Sequence, residues 1–515
     1  MGGCRDIPSR RQFLTTTLRA AGGLLALAGA GYAGYRWPHP RLDPAPPTAQ
    51  PGVWHFASRP DLSPPAVTVT RYPAHAAGPV GAAGSAGAPH HIFLSPKGYV
   101  GNGPGQQGLM ILDTAGQLVW FLPMPANAPF NFQMQTYQGK PVLTWWSGSV
   151  TAGHGQGACT IMDASYRTIA TIQAGNGLQA DLHEMTLTPA GTALITAYRT
   201  AAADLSALGG PTSGQVLSCQ AQEIDIATGQ MIFAWDSLDH VPVTETRAAL
   251  ASGDQTTPFD YFHMNSISLA PDGDLLISSR NTWTVYKVSR ASGNIVWRLN
   301  GKASDFAMGP GAAFYWQHHV RAHAGNQLSI FDDGSSPPEE SQSRGILLSV
   351  DETAKQARLV RQYVHPARLL ADNQGSMQIL PDGRVFVGWG DQPYFSEFTA
   401  DGTLVLDGRL PANDQSYRAF AYDWVGKPTD APALAVQPST TRGVTAYASW
   451  NGATELASWR VLAGASASSL SPAATVHRAG FETAIAVGSS GPYFVAAALD
   501  RSGREIGRSA PVHLT

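Results

Sequence analysis

The stretch ISLAPDGDLLISS, residues 267–279, decides the fold class. Apolar residues alternate with small or polar ones on both sides of a Pro-Asp-Gly turn, so each arm reads as a strand with one buried face. Gly273 ends the turn, where a tight hairpin needs positive φ. The same inner hairpin recurs as IFLSPKGYV from Ile92, MTLTPAGTALIT from Met185 and MQILPDGRVFVG from Met377, and without the proline as RAHAGNQLSIF from Arg321. An outer hairpin with a short polar turn and a glycine accompanies it: MILDTAGQLVWF from Met110, EIDIATGQMIFAW from Glu223, YKVSRASGNIVWRL from Tyr286 and SEFTADGTLVLDG from Ser396.

Two hairpins make a four-stranded module that cannot bury both its faces alone. Stacking copies radially does so, which predicts an all-β chain built as a β-propeller. Turns at Gly98, Gly191, Gly273, Gly325 and Gly383, with a further module between Trp145 and Gly175, predict six blades over residues 66–425. After Asp430 the pattern changes to short strands without the blade hairpin, in VTAYASWNGATELASWRVL, VHRAGFETAIAV and YFVAAALDRSGREIGRSAPV. Residues 430–515 therefore read as a small C-terminal β-sandwich that resembles fibronectin type III.

Composition agrees. Charged residues are only 14% of the 515, while 54 Gly and 37 Pro suit a turn-rich β protein. A formal net charge of -3 supplies no basic field for nucleic acid or an anionic membrane surface, and nucleic-acid binding is excluded on that ground.

The N-terminus carries Ser9-Arg10-Arg11-Gln12-Phe13-Leu14 and then AAGGLLALAGAGYAGY over residues 20–35. Paired arginines before a modest Gly/Ala-rich apolar stretch resemble a twin-arginine export signal, so residues 1–36 are read as that signal and the rest as lying outside the cytoplasm. A cleavage site can lie near Ala28-Gly29-Ala30; the alternative is an uncleaved anchor, the one membrane link expected, although the stretch is shorter than the ~20 residues of a span. Residues 37–65 form a Pro-rich linker and lead-in segment. Cys4 has no lipobox after it, and Cys159 and Cys219 can form one disulfide in an oxidising compartment.

Three histidines stand at matching places. His183 in DLHEM, His263 in YFHMN and His318 in WQHHV each open the inner strand of a module, so three imidazoles are expected to meet at one mouth of the central channel. Asn265 lies two residues after His263 and faces the same way on a strand; Arg280 ends the adjacent strand and can return to that mouth. A guanidinium fork, an amide and imidazole N–H groups suit a tetrahedral oxyanion, and a neutral imidazole is itself a nucleophile. No metal is expected: of the acidic residues only Glu184 shares these positions, it faces away from His183, and Arg280 repels a cation. His319 faces opposite His318 unless a bulge exchanges them, and His323 reads as a solvated loop residue.

The segments DLHEMTLTPAGTALIT, FDYFHMNSISLAPDGDLLISSRNTWTVYKV and FYWQHHVRAHAGNQLSIFDDG look like the signature of the arylsulfate sulfotransferase family, closest to its shorter actinobacterial and fungal branch. The early FASRPDLSPPAVTV and GLMILDTAGQLVWF and the late SWNGATELASWRVL fit the same branch. The resemblance implies a six-bladed propeller that moves a sulfo group from a phenolic sulfate ester to another phenol, with no nucleotide donor and no cofactor. By motif it implies His318 as the nucleophile of a transient sulfohistidine, with His183, His263, Asn265 and Arg280 holding the sulfate oxygens and the transition state. It also implies a hydroxyl donor from the last blade, for which Ser376 is the candidate; Tyr261 or a channel histidine is the candidate for protonating the departing phenolate.

Two other readings stand beside this one. The hairpin DIATGQMIFAW from Asp225 resembles the repeat of quinoprotein dehydrogenases, but His, Asn and Arg at the channel do not suit a calcium-quinone site. A non-catalytic extracellular propeller acting as a binding module, or a hydrolase or transferase of other sulfate or phosphate esters, are the alternatives.

Overall fold

The computed structural model describes residues 52–73, 90–98, 103–124, 128–250, 257–439, 443–488 and 491–514. The paired arginines, the apolar stretch at 20–35, Cys4 and the linker at 38–49 lie outside the described residues. Those described up to Val150 and from His154 onward pack as one compact unit.

The chain is nearly all-β. Among the described residues helix is confined to the single turn Ser237–His240 and two 3₁₀ turns, Ser206–Leu208 and Val243–Glu245. The deciding stretch forms the hairpin expected of it: Met264–Leu269 pairs antiparallel with Leu275–Ser279, and Gly273 has φ +90. Thr284–Val288 and Ile295–Leu299 complete a four-stranded sheet in sequence order. Ile267, Leu275 and Ile277 on it are fully buried, each contributing roughly 1.5–3 kcal/mol.

Five further four-stranded arrangements repeat this order. The second module runs Ala128–Tyr137, Lys140–Thr151, His154–Met162 and Thr168–Ile172, and the third Ala180–Leu187, Thr192–Ala203, Gly214–Asp225 and Met231–Asp236. One pairing, Ala180 with Gly157, joins these two into a single sheet. The fifth module runs His318–His323, Gln327–Asp332, Arg344–Asp351 and Gln356–Tyr363; the sixth runs Ser376–Ile379, Val385–Gly388, Tyr394–Phe398 and Leu404–Arg409. The sixth is edged by the early strand Thr68–Arg71.

The first module differs from its sequence reading. His91–Leu94 pairs not across a tight turn at Gly98 but with Gly108–Leu112, followed by Leu118–Pro123. Lys97–Gly98 pairs instead with Asp414–Gln415, and the fourth strand is the late segment Phe420–Tyr422. Both ends of the repeat region therefore meet in one sheet.

Past Trp424, two sheets face one core. Ala433–Pro438, Val444–Ser449 and Glu482–Val487 make one; Ser469–His477, Ser458–Ser466 and Tyr493–Leu499 make the other, with Glu505–Arg508 and Val512–His513 on its edge. Trp459, Val461, Ile485 and Phe494 share that core.

The disulfide expectation fails. Cys159 lies in the second module and Cys219 in the third, and both are buried free thiols. Burial, with nearby carboxylates adding to it, pushes both thiols far up, so they act as small core residues.

Candidate active site

His183, His263 and His318 all sit at the start of an inner strand, as the repeat predicts. His183 lies in Ala180–Leu187 where the register slips before Met185; His263 immediately precedes Met264–Leu269; His318 opens its own strand. The His183 and His263 rings are 4.7 Å apart. His318 is fully buried, and burial first, then the nearby Arg280, His263, His183 and Arg418, hold its imidazole well below its ordinary value. His318 is thus neutral at physiological pH.

Each of the three is oriented by a carboxylate, buried in Asp181 and Asp333 and half-buried in Asp260, that the sequence reading did not single out. His183 Nδ1 is 2.5 Å from Asp181 Oδ1, His263 Nδ1 is 2.5 Å from Asp260 Oδ2, and His318 Nδ1 is 2.8 Å from Asp333 Oδ2. The signal was present in DLH, DYFH and FDDG, but only tertiary contact tells a partner carboxylate from a turn residue.

For His318 the hydrogen-bond pattern settles the tautomer. The backbone N–H of Gln374 donates to Nε2 across 3.3 Å, so that nitrogen carries the lone pair and Nδ1–H donates to Asp333. Burial pushes the Asp333 carboxyl up, with Asp332, Asp391 and Asp372 adding to the rise and Arg280 opposing it. A positive charge developing on His318 is the event that would best stabilise this carboxylate as an anion.

Arg280 follows directly on Leu275–Ser279, tied back by its N–H to the His263 carbonyl at 2.9 Å. Its guanidinium lies 4.8 Å over the Trp316 ring and donates to the Asn281 side chain and the Asp372 carbonyl. Its Nε is buried with no partner among the described residues, a donor left open for an acceptor from outside the chain. Asn265 spends one N–H on the Gln317 carbonyl at 2.6 Å, while its Oδ1 is buried and unpartnered. Gln317 itself braces the fourth module through Ser278 and Ser279, holding the Gln-His pair against it.

His319 takes the other side, bonded to the Met377 carbonyl at 3.1 Å and set against Phe420. Its φ of +52 and the register slip after His318 are the local bulge, and it leaves His318 at the site. His323 is no loop residue; it ends the strand His318–His323 with Nε2 2.8 Å from the Ser329 hydroxyl. Ser376 is engaged by Ala419, donating to its carbonyl at 2.9 Å and accepting from its N–H at 3.2 Å. The last module's contribution to His318 is instead the Gln374 backbone. Tyr261 is buried in the third-to-fourth module core with its hydroxyl on Ser237.

At the centre, Glu184 accepts from Arg321 at 2.8 Å and from Arg418 at 3.1 Å, and Arg418 also donates to Asn131 and the Asn265 carbonyl. Glu184 does face away from His183. Tyr417, next in sequence, bonds the His183 carbonyl and packs on Phe130, and Lys97 lies 4.3 Å over the other side of that aromatic cluster. Burial pushes the Lys97 amine down to about 7.

No curated protein matches the chain. Among solved structures, a protein of unknown function from Bacteroides caccae is 10% identical with TM-score 0.39, covering 65% of this chain and 99% of its own. The β-propeller domain of Myceliophteria thermophila Cps50 (Swd1) is 11% identical with TM-score 0.31, covering 63% of this chain and 97% of its own; streptogramin B lyase is 11% identical with TM-score 0.29, covering 64% and 78%. The family model described as arylsulfotransferase (ASST) matches residues 133–410, more than half the chain, a span that contains the five residues of the expected site. The chain belongs to the arylsulfotransferase family.

Proposed function

We propose that the protein is a nucleotide-independent arylsulfate sulfotransferase that works by a ping-pong route through a sulfohistidine on His318 Nε2. The observation that carries this is the fixed tautomer of His318: Asp333 holds Nδ1 and the lone pair sits on Nε2, beside Arg280.

In the first half-reaction Nε2 attacks the sulfur of a phenolic sulfate ester and the S–O(aryl) bond breaks with its electron pair leaving on the phenolate. The sulfo-imidazole so formed carries a positive ring, which Asp333 stabilises. Arg280, through its unpartnered Nε–H, together with Asn265, His263 and His183, holds the sulfo oxygens. His183, anchored by Nδ1 on Asp181, is the group that gives a proton to the departing phenolate and takes one from the acceptor phenol. In the second half-reaction the acceptor oxygen attacks sulfur and the N–S electron pair returns to Nε2.

The scaffold reading is part of the proposal: six modules closing as a six-bladed propeller, followed by a β-sandwich similar to fibronectin type III. It is supported by the six four-stranded orders, by the pairing of His91 with Tyr422 from opposite ends of the repeat region, and by the shared core of the last two sheets. Export by the twin-arginine route, ahead of cleavage or anchoring, is likewise proposed, on the N-terminal sequence alone.

Incubation with an aryl sulfate plus a second phenol is expected to yield the sulfated second phenol. With donor alone, intact-mass analysis of the protein is expected to show one added sulfo group that His318→Ala abolishes. Donor consumption without adduct, and an active His318→Ala, would overturn the histidine route and favour ester hydrolysis; donor binding without turnover would favour a binding module.

A further inference from the structure

The carboxylate that anchors His263 also holds a second imidazole that the reaction above does not use. His154 opens the strand His154–Met162 of the second module, and its Nε2 lies 3.1 Å from Asp260 Oδ2. His263 Nδ1 reaches the same oxygen at 2.5 Å. One donor atom from each of His154, Asp260 and His263 lies within 4.8 Å of the other two.

Hydrogen bonding alone accounts for only part of this. Two imidazoles converge on Oδ2, while Oδ1 of the same carboxylate is buried and has no partner among the described residues. Two imidazole nitrogens and a carboxylate are a donor set that suits a divalent first-row ion such as Zn²⁺, bound at about 2.0–2.2 Å. Two ligands around one such ion stand about 3 Å apart, close to the 3.1 Å of His154 Nε2 from Oδ2, while the 2.5 Å of His263 Nδ1 is a hydrogen-bond distance that opens on binding. Charge allows it as well: two carboxylates, buried Asp181 and half-buried Asp260, act on His154, His183 and His263. The Arg280 guanidinium is itself directed to Trp316 and the Asp372 carbonyl.

We propose that His154 Nε2, the Asp260 carboxylate and His263 Nδ1 form a binding site for a divalent transition-metal ion. Binding replaces the hydrogen bonds to Asp260 by bonds to the ion, and a neutral imidazole keeps its one proton by moving it to the ring nitrogen that does not bind. Coordination through Nδ1 leaves the remaining proton of His263 on Nε2. On the sulfotransfer reading, which this last step rests on, His263 then presents a permanent N–H donor to a sulfo oxygen.

The test uses tag-free, full-length protein stripped with EDTA and dialysed. Calorimetric titration with Zn²⁺, and the visible absorption of Co²⁺ added in its place, are expected to show one equivalent bound, with a rise in melting temperature. His154→Gln keeps a hydrogen bond to Asp260 but removes the ligand nitrogen; it is expected to melt like the metal-free wild type and to bind at least about tenfold more weakly. His240→Ala, at a histidine stacked on Trp235, is the control and is expected to bind as wild type. No uptake of either ion by the wild type overturns the site, as does uptake by His154→Gln equal to the wild type. Because uptake is read without substrate, it stands or falls apart from sulfotransfer.

Discussion

On the proposed route, a neutral imidazole whose lone pair is aimed by its neighbours is the smallest unit that does chemistry. Asp333 accepts from Nδ1 of His318, and on that route it is the counter-charge when the ring becomes positive. Asp333→Asn is therefore expected to keep the fold while lowering kcat by about 10²–10⁴, with little change in KM, in steady-state assays of aryl sulfate turnover. Lys97 makes a prediction about pH. Its amine, pushed down to about 7 by burial, loses its proton in the folded state well below the unfolded value near 10.5. Between those values the unfolded chain binds the extra proton, so this residue makes stability rise with pH from about 7 upward. Below about 7 its burial cost is fully present. Lys97→Met is accordingly expected to raise stability by a few kcal/mol at pH 6 and by much less at pH 10, measured by denaturant melts of both proteins.

At the level of the element, the repeated turn and the site loop use glycine for different reasons. Gly383, with φ +85, turns between Ser376–Ile379 and Val385–Gly388 with nothing closer than 4.0 Å to an added Cβ. Gly375, with φ +97, lies under Phe331, whose ring would be 2.3 Å from a Cβ, and it follows the residue whose N–H reaches His318. Gly383→Ala is expected to cost about 1 kcal/mol through backbone strain and leave turnover unchanged. Gly375→Ala is expected to cost about 2–4 kcal/mol and to slow sulfo transfer as well, because relieving the clash moves Gln374. Chemical denaturation and initial rates on the two variants separate the roles.

Across the whole compact unit, one guanidinium ties three modules together. Arg418, fully buried, joins Asn131 of the second module, Glu184 of the third and Asn265 of the fourth. Removing one partner of a buried ion pair leaves the other charge stranded, so Arg418→Met is expected to destabilise by about 3–5 kcal/mol, seen as a lowered denaturation midpoint. Such ties are where sequence reading ran short. The repeat, the strand-opening histidines and the arginine after Ser279 are local facts: period-2 alternation and a glycine turn specify a hairpin wherever they occur, so ISLAPDGDLLISS was enough to place His263 and Arg280 at the adjoining ends of neighbouring strands. The opened hairpin of the first module was not legible, because Gly108–Leu112 and Phe420–Tyr422 reach His91–Leu94 only through long-range pairing. Nor were the Asp partners, the engagement of Ser376 by Ala419, or the separation of Cys159 from Cys219. What the residues determined by themselves is the strand grammar and the residue types brought to the mouth. Which carboxylate orients which imidazole, and which nitrogen of His318 carries the lone pair, was decided only by the tertiary structure, since a hydrogen bond depends on ångström-scale placement between segments that covalent spacing leaves unconstrained.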